Sequence, residues 1–173
     1  MHVDFLTLAC LRGDIAQLQD GKIQQVVQTD ERSVALELYA GFRTTLLLDV
    51  HPNHARALLI EDKARRGVEV PTPLGLLLRK YVRGGRLRGV SQPPWERVLE
   101  LAIENEEGRS TIVAEIMGRN SNLLLLDEEG IIRECVLRAD EEQNPYRVTL
   151  PNHPYIPPPP LTKRAPTSLD EGD

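Results

Sequence analysis

Five cationic side chains lie within ten residues of the chain, and no acidic side chain lies among them. They are Arg79, Lys80, Arg83, Arg86 and Arg88. Because the stretch contains no carboxylate, local ion pairs cannot neutralise these charges. A cluster of this kind either forms a solvated face or contacts the phosphates of a nucleic acid. Both interpretations stand on the sequence alone.

A second pair of charges, Glu96 and Arg97, opens an apolar run with the character of a strand. Side chains alternate between the two faces of a strand, so Arg97 would share the apolar face with Leu99 and Leu101, while Glu96 would point away. An arginine in that position either extends its guanidinium to water or is held for contact with a phosphate or a base. The sequence leaves both interpretations open.

Two further polar features each have a structural and a functional interpretation. Asp4 stands where a helix N-cap is expected. Residues 118–122 have the Gly, Asn and Ser content that is typical of a turn between strands. In the functional interpretation, Arg119 gives a positioned contact to RNA and Asn122 contacts a base or a sugar.

The sequence offers little that resembles catalytic or metal-binding machinery. His51 and His54 have no third ligand nearby, and the motifs of serine hydrolases, zinc proteases, P-loop proteins and dinucleotide-binding proteins are missing. We therefore predict no catalytic residue, no metal and no cofactor. Cys10 and Cys135 have apolar neighbours, which predicts two small buried side chains in a reducing compartment.

The composition indicates one globular domain with an aliphatic core. The chain has 173 residues, of which 40% are hydrophobic and 4% aromatic. No apolar run approaches the roughly 20 residues of a membrane span, and the first residues lack the pattern of a secretory signal. We therefore expect a cytoplasmic protein without membrane contact. The net charge is −5, but residues 56–97 carry +6, so the chain can present a basic face to phosphates.

The hydrophobic pattern predicts two helices separated by short strands. Leu8, Leu11 and Ile15 recur at helical spacing near the start. The second helix begins at Thr72-Pro73 and ends at Gly84-Gly85. Alternating segments and hairpin turns predict antiparallel strands. The predicted strands are 22–29, 33–40, 44–50, 86–91, 96–103, 111–117, 122–127 and 131–139.

These elements predict an α+β fold in which two antiparallel β-sheets form a sandwich-like arrangement with an N-terminal helix and a central helix. Residues 51–71 show no clear period and are predicted to be a loop with one helical turn. Residues 1–150 form the predicted domain. Residues 151–173 are rich in proline and then acidic, which predicts a disordered linker and tail leading into a longer parent protein.

Several motifs, taken in their order and spacing, resemble the N-terminal domain of the NFACT proteins. This family is also called fibronectin-binding protein A and includes ribosome-associated quality control factors of the bacterial RqcH type. The resemblance covers roughly residues 3–160. The motifs that carry it are Leu78-Arg79-Lys80, Gly85-Arg86-Leu87, Gln92, Glu96-Arg97, Met117 to Asn122 and Leu125 to Asp127.

The resemblance implies a fold similar to the N-terminal domain of formamidopyrimidine-DNA glycosylase. It also implies contact with tRNA on obstructed large ribosomal subunits, in support of C-terminal alanine tailing of stalled nascent chains. The family's early Asp and its Asp-Arg pair matter for tailing and map onto Asp4, Glu96 and Arg97. The chain departs from the pattern at Glu96, which replaces Asp, and at Asn120, which replaces a frequent His.

The leading interpretation is therefore an RNA-binding module of a ribosome-associated factor, with tRNA and the large subunit as partners. Two alternatives remain: a fibronectin-binding surface adhesin, and a scaffold that packs on other domains of the parent chain. A glycosylase needs an N-terminal proline followed by glutamate, and this chain begins Met-His-Val-Asp, so no enzyme is expected. The predicted RNA-binding residues are Asp4, Arg79, Lys80, Arg83, Arg86, Arg88, Glu96, Arg97, Arg119 and Asn122.

Overall fold

The computed structural model describes residues 5–93 and 97–159, so Asp4 and Glu96 lie outside the described residues. The two predicted helices are present as α1 (Phe5–Ala16) and α2 (Pro73–Tyr81). A 3-10 turn covers Gly118–Asn120. The strands are β1 (Lys22–Asp30), β2 (Ser33–Tyr39), β3 (Arg43–Asp49), β4 (Arg56–Ile60), β5 (Arg86–Ser91), β6 (Val98–Asn105), β7 (Gly108–Glu115), β8 (Asn122–Leu126) and β9 (Ile132–Cys135).

The described strands form one antiparallel sheet, not the two sheets expected from the sequence. Their order is β4-β3-β2-β1-β5-β6-β7-β8-β9. The junction between β1 and β5 has one register pair, Lys22 opposite Arg86, among the described residues. Backbone hydrogen bonds from Ile23 to Gly85 and from Leu87 to Gly21 support it, with N···O distances of 2.8 and 3.0 Å. The sheet therefore consists of two halves joined at a short seam.

A single aliphatic core connects the two halves. One buried cluster contains Leu46 and Leu48 from β3 together with Leu99 and Leu101 from β6. Helix α1 contacts β4, β5 and β6, and α2 contacts β1, β7, β8 and β9, so each helix touches both halves. Burial of these aliphatic side chains is the main source of stabilisation that joins the halves.

Strand β8, in the half that ends in β9, is buried on both faces. The inner face contributes Ile112 and Leu125 to the main core, and the outer face forms a second cluster that includes Leu124 and Cys135. All five residues of β8, Asn122–Leu126, are buried. A strand covered on both sides is typically continuous in apolar residues, which explains the four consecutive leucines of β8.

The outer face is covered by a chain segment that extends past the predicted boundary at residue 150. Tyr155 packs against the second cluster and its hydroxyl donates to Glu115 Oε2 at 2.7 Å. Arg147 forms a buried bidentate ion pair with Glu115. Burial and then the Glu115 carboxylate raise the pKa of Tyr155, so its hydroxyl stays protonated and able to donate. Residues 151–156 thus belong to the folded body, and residues 160–173 lie outside the described residues.

Strand β4 corrects the prediction of a loop over residues 51–71. Arg56–Ile60 pairs antiparallel with β3 and forms the edge of the sheet. Its four apolar residues run consecutively, without the alternation that signals a half-buried strand. Short runs of this kind cannot be separated from loop or helix by pattern alone.

The two cysteines differ in exposure: Cys135 is buried, as predicted, but Cys10 is exposed. Burial raises the pKa of Cys135 to about 12, and the thiolate is the reactive form of cysteine. We expect a thiol reagent such as DTNB at pH 8 to modify Cys10 in the native protein and both cysteines in denaturant. Modification of Cys135 at the native-state rate of Cys10 would contradict the burial of the second cluster.

Candidate nucleic-acid interface

Helix α2 is fixed at its N-terminus by hydrogen bonds to the sheet. The Gln28 side chain of β1 donates to Thr72 Oγ1 at 2.7 Å and accepts from the Thr72 backbone N–H at 3.2 Å. The same Thr72 hydroxyl accepts from the backbone N–H of Gly75 at 3.1 Å, which confirms the predicted cap. A Cβ on Gly75 would lie 2.4 Å from Gln28 Oε1, so a larger residue would displace the Gln28 amide from its hydrogen bonds to Thr72.

One face of α2 is buried, so Arg79 and Lys80 lie on its other side, and Arg83 follows just after the helix. Leu74 and Leu78 are buried in the core, while Lys80 and Arg83 are exposed and Arg79 is half-buried. No carboxylate of residues 5–93 and 97–159 lies within 4.0 Å of these three cations. Their charges are therefore available to an external anion.

The last turn of α2 is held in place by β6. The Asn105 side-chain amide donates to the carbonyls of Lys80 and Arg83 at 2.9 and 3.3 Å, which satisfies acceptors that a helix end leaves open. Gly84 has a φ of 80°, a conformation that favours glycine. A Cβ on Gly85 would lie 2.8 Å from the Glu104 carbonyl oxygen. The predicted Gly84-Gly85 stop thus lets the chain turn tightly into β5.

The arginines of β5 are less available than those of α2. Arg88 donates from Nη1 to Asp20 Oδ1 at 2.7 Å and from Nε to Glu104 Oε1 at 3.2 Å. The hydrogen bond to Asp20, followed by that to Glu104, raises the pKa of Arg88 and keeps it charged. Arg86 Nη1 donates to the Asp20 carbonyl at 3.0 Å. Residues distant in sequence thus hold both arginines in place, Arg88 through two carboxylates and Arg86 through a backbone carbonyl.

Arg97 and Arg119 lie at the other end of β6. Arg97 directly precedes β6, and its carbonyl accepts from the Ile116 N–H at 2.9 Å. Arg119 is exposed in the nearby 3-10 turn. Neither guanidinium has a carboxylate within 4.0 Å among the described residues. At roughly 3.4 Å per strand residue, about 24 Å of β6 separates Arg97 from the strand end at Glu104 that faces Arg86.

Asn122 is a structural residue of the fold rather than an exposed contact. It is buried, and its amide donates to the Leu137 carbonyl at 3.0 Å. Its side-chain oxygen accepts from the backbone N–H groups of Leu123 and Leu137, both at 2.9 Å. Since Asn122 is buried and its amide and oxygen bond the backbone inside the fold, we remove it from the candidate interface.

The histidine pair forms a local polar contact without a third ligand. His54 Nδ1 lies 3.1 Å from Asp49 Oδ2, and the His51 and His54 rings stack with centroids 4.3 Å apart. Within the described ranges, no group of three or more His, Cys, Asp or Glu side chains is arranged to hold a metal ion. In the same part of the chain, no helix is long and apolar enough to cross a membrane.

Two cations near the candidate interface were not predicted from the sequence. Arg133 of β9 lies over the Tyr81 ring, with its guanidinium carbon 3.8 Å from the ring centroid. Arg109 of β7 lies opposite Glu104 across the hairpin that joins β6 to β7. The position of Arg109 could have been inferred from the hairpin register, whereas Arg133 reaches α2 only through tertiary packing.

Comparison with known proteins leads to the same family as the sequence motifs. The family model of NFACT N-terminal and middle domains matches residues 4–173. The chain belongs to the NFACT family. An Rqc2 homolog, RqcH, of Streptococcus suis is 32% identical over 151 residues, which cover 83% of this chain and 27% of that protein. The RqcH of Bacillus subtilis is 31% identical over 164 residues, covering 91% of this chain and 29% of its own length.

Two solved structures share the fold. The N-terminal domain of the fibronectin-binding protein PavA from Streptococcus pneumoniae superposes with a TM-score of 0.84 at 29% identity, covering 97% of this chain and 65% of that one. The N-terminal part of the fibronectin/fibrinogen-binding protein FBPS from Streptococcus suis also gives 0.84, at 30% identity, covering 92% and 62%. The chain spans less than a third of the length of the RqcH relatives.

Proposed function

We propose that this NFACT domain is the RNA-binding part of a ribosome-associated quality control factor in the cytoplasm. It contacts tRNA on obstructed large ribosomal subunits and supports alanine tailing of stalled nascent chains. Family membership and the RqcH relatives support this proposal. We assign the domain a binding role and no catalytic step.

The observation that carries the proposal is the set of unpaired cations at the end of α2. Arg79, Lys80 and Arg83 have no carboxylate partner among the described residues, although the chain as a whole is acidic. The Asn105 side chain fixes the backbone that carries them. Cations on a fixed backbone are suited to phosphate contacts, which contribute most of the affinity for a nucleic acid.

Arg97 and Arg119 supply the second contact of the proposed interface. By the family resemblance, Asp4 and Glu96 share this role, by orienting arginines or by accepting a hydrogen bond from a ribose hydroxyl. Arg97 lies about 24 Å along β6 from Glu104, which adjoins the Asn105 that holds the end of α2. A folded RNA such as tRNA is large enough to contact both, whereas a mononucleotide is not.

Reversing the charges of Lys80 and Arg83 tests the proposal. We expect Lys80→Glu/Arg83→Glu to weaken tRNA binding at least about tenfold and to reduce the slope of log K against log salt by about 2, since two phosphate contacts are lost. Fluorescence anisotropy with labelled tRNA over a salt series measures both quantities. Both side chains are exposed, so the fold should persist.

Arg65→Glu/Arg66→Glu is the matched control, because it makes the same change of charge on exposed residues near the opposite end of α2. We expect it to retain most of the affinity. Equal losses in the two variants would mean that net charge, not this surface, governs binding. Wild-type binding that is absent, or insensitive to salt, would overturn the proposal.

The relatives PavA and FBPS give a second candidate, because their names describe fibronectin-binding proteins. A surface adhesin and a ribosome-associated factor differ in where the protein is found. In cell fractionation, we expect the parent protein to co-sediment with large ribosomal subunits. Recovery of the protein on the cell surface, without ribosome association, would favour the adhesin.

A further inference from the structure

The strand register aligns six side chains across the sheet at one end of the strands. Arg43 lies opposite Tyr39, and Tyr39 lies opposite Lys22. Lys22 lies opposite Arg86 across the seam, Arg86 opposite Glu104, and Glu104 opposite Arg109. We call Arg43, Tyr39, Lys22, Arg86, Glu104 and Arg109 the transverse row. With strands about 4.8 Å apart, its five steps span about 24 Å.

The transverse row faces away from the core. The neighbours Ile23, Leu38, Leu87 and Ile103 along the strands are buried in the main cluster. Successive side chains point to opposite faces of a sheet, so the row residues point outward. Glu104 is half-buried and the other five are exposed. The row is therefore accessible along its length.

The transverse row itself carries a net positive charge, although Glu37 and Glu61 line a cavity with Arg43, and Asp127 and Glu128 line one with Arg109. Four members of the row are cations and one is an acid. Arg88 adjoins the row and binds Glu104 and Asp20, while Arg109 Nε lies 3.7 Å from Glu104 Oε2. A guanidinium carries five N–H donors, so Arg88 keeps donors free after its two hydrogen bonds. Asp20 and Glu104 hold Arg88 in position, and cations still outnumber acids within the row itself.

Exposed aromatic rings accompany these cations. Tyr39 lies between Lys22 and Arg43 in the register and is 46% exposed. Phe42, in the turn of the same hairpin, is 57% exposed. Exposing a large hydrophobic side chain to water is unfavourable. A ring flanked by cations can stack on an unpaired base, while the cations neutralise the phosphates on either side of that base.

We propose that the transverse row binds an unpaired stretch of RNA, with phosphates on Lys22, Arg43 and Arg109 and a base stacked on Tyr39. The class of partner rests on the proposed function, but the row lies on strands and uses residues other than Arg79, Lys80 and Arg83. The aromatic ring favours single-stranded RNA over a duplex, whose bases are stacked inside, and over an acidic peptide, which has no base to stack.

Two variants test this row by fluorescence anisotropy with a labelled polyuridine RNA of about 12 nucleotides at low salt. We expect Lys22→Glu/Arg43→Glu to weaken binding at least about tenfold. We expect Tyr39→Ala to weaken it about tenfold through lost stacking, and Tyr39→Phe to retain the wild-type affinity. The matched controls Arg65→Glu/Arg66→Glu and Tyr146→Ala change exposed residues outside the row and should bind like the wild type.

The outcomes separate this inference from the proposed function. Row variants that bind polyuridine like the wild type, while Lys80→Glu/Arg83→Glu loses tRNA, would overturn the row and leave the proposed function standing. If the row variants lose polyuridine binding but the wild type does not bind tRNA, the proposed function alone would be overturned. Competition by poly-glutamate at the same concentration as RNA, or equal affinity for duplex RNA, would overturn the assignment to unpaired RNA.

Discussion

Replacing Arg147 with methionine is expected to lower the free energy of unfolding by about 3–5 kcal/mol. Glu115 is 0% exposed, and its two oxygens accept from Arg147 Nη2 at 2.6 Å and Nη1 at 2.8 Å. Arg147 also donates to the Ile156 carbonyl at 2.8 Å. Without the guanidinium, a buried carboxylate keeps only the Tyr155 hydroxyl among these partners. Urea denaturation at pH 7 measures the loss.

Arg88→Met is the matched control, because Arg88 also forms ion pairs, but Arg88 and Asp20 are exposed to solvent and Glu104 is only half-buried. Exposed ion pairs contribute about 0–1 kcal/mol. The double variant Glu115→Leu/Arg147→Met removes both buried charges and should recover most of the stability lost by Arg147→Met. If Arg147→Met and Arg88→Met lose equal stability, the ion pair is not buried as described.

The second large effect is expected at β8, where Leu124→Ala and Leu125→Ala should each destabilise the fold by about 2–5 kcal/mol. Leu125 belongs to the main core, and Leu124 belongs to the cluster on the opposite face. Both are fully buried. Since each truncation leaves a cavity on its own side of the sheet, neighbouring positions should be equally sensitive. Thermal or urea unfolding of the two variants tests this.

Strand β3 provides the comparison, because its outer face is only partly covered. Leu46 and Leu48 are buried, and Leu47 between them is half-buried. We expect Leu47→Ala to cost clearly less than Leu46→Ala, whereas no such difference should appear between Leu124 and Leu125. A near-neutral Leu124→Ala would show that residues 151–156 do not cover the outer face.

The sequence predicted the local elements well, because their signals are local. Leucine spacing located both helices, and the Thr72-Pro73 start and Gly84-Gly85 stop bounded α2 closely. Alternation and turn residues located eight of the nine strands described. The exception, β4, has neither alternation nor a clear turn pattern, and it forms through pairing with β3.

The arrangement of the strands was predicted less well, because it depends on contacts between distant residues. Two sheets were expected, but Lys22 pairs with Arg86 and joins the halves into one. The acidic partners of Arg88, Asp20 and Glu104, also come from distant positions. A count of nearby acids therefore overestimated how many cations of the cluster remain unpaired.

The residue types of the candidate site could be predicted from the sequence, but their positions relative to one another could not. The cations of α2 do form an unpaired group, whereas Arg97 and Arg119 occupy the far end of β6. Turn-like composition suggested an exposed Asn122, yet its amide bonds the backbone of Leu137 inside the fold. Proline content likewise suggested that residues 151–156 lie free, although Tyr155 is anchored by a buried acid.

The short seam between β1 and β5 has a consequence for how the chain folds. In the part of the chain that the structure describes, every other pairing joins strands that follow one another in sequence. Pairings of that kind close short loops and form quickly. The seam must close a loop of more than fifty residues before its few backbone hydrogen bonds can form. We therefore expect the two meanders to pair their strands first and to dock around α1 and α2 in a later, non-local step.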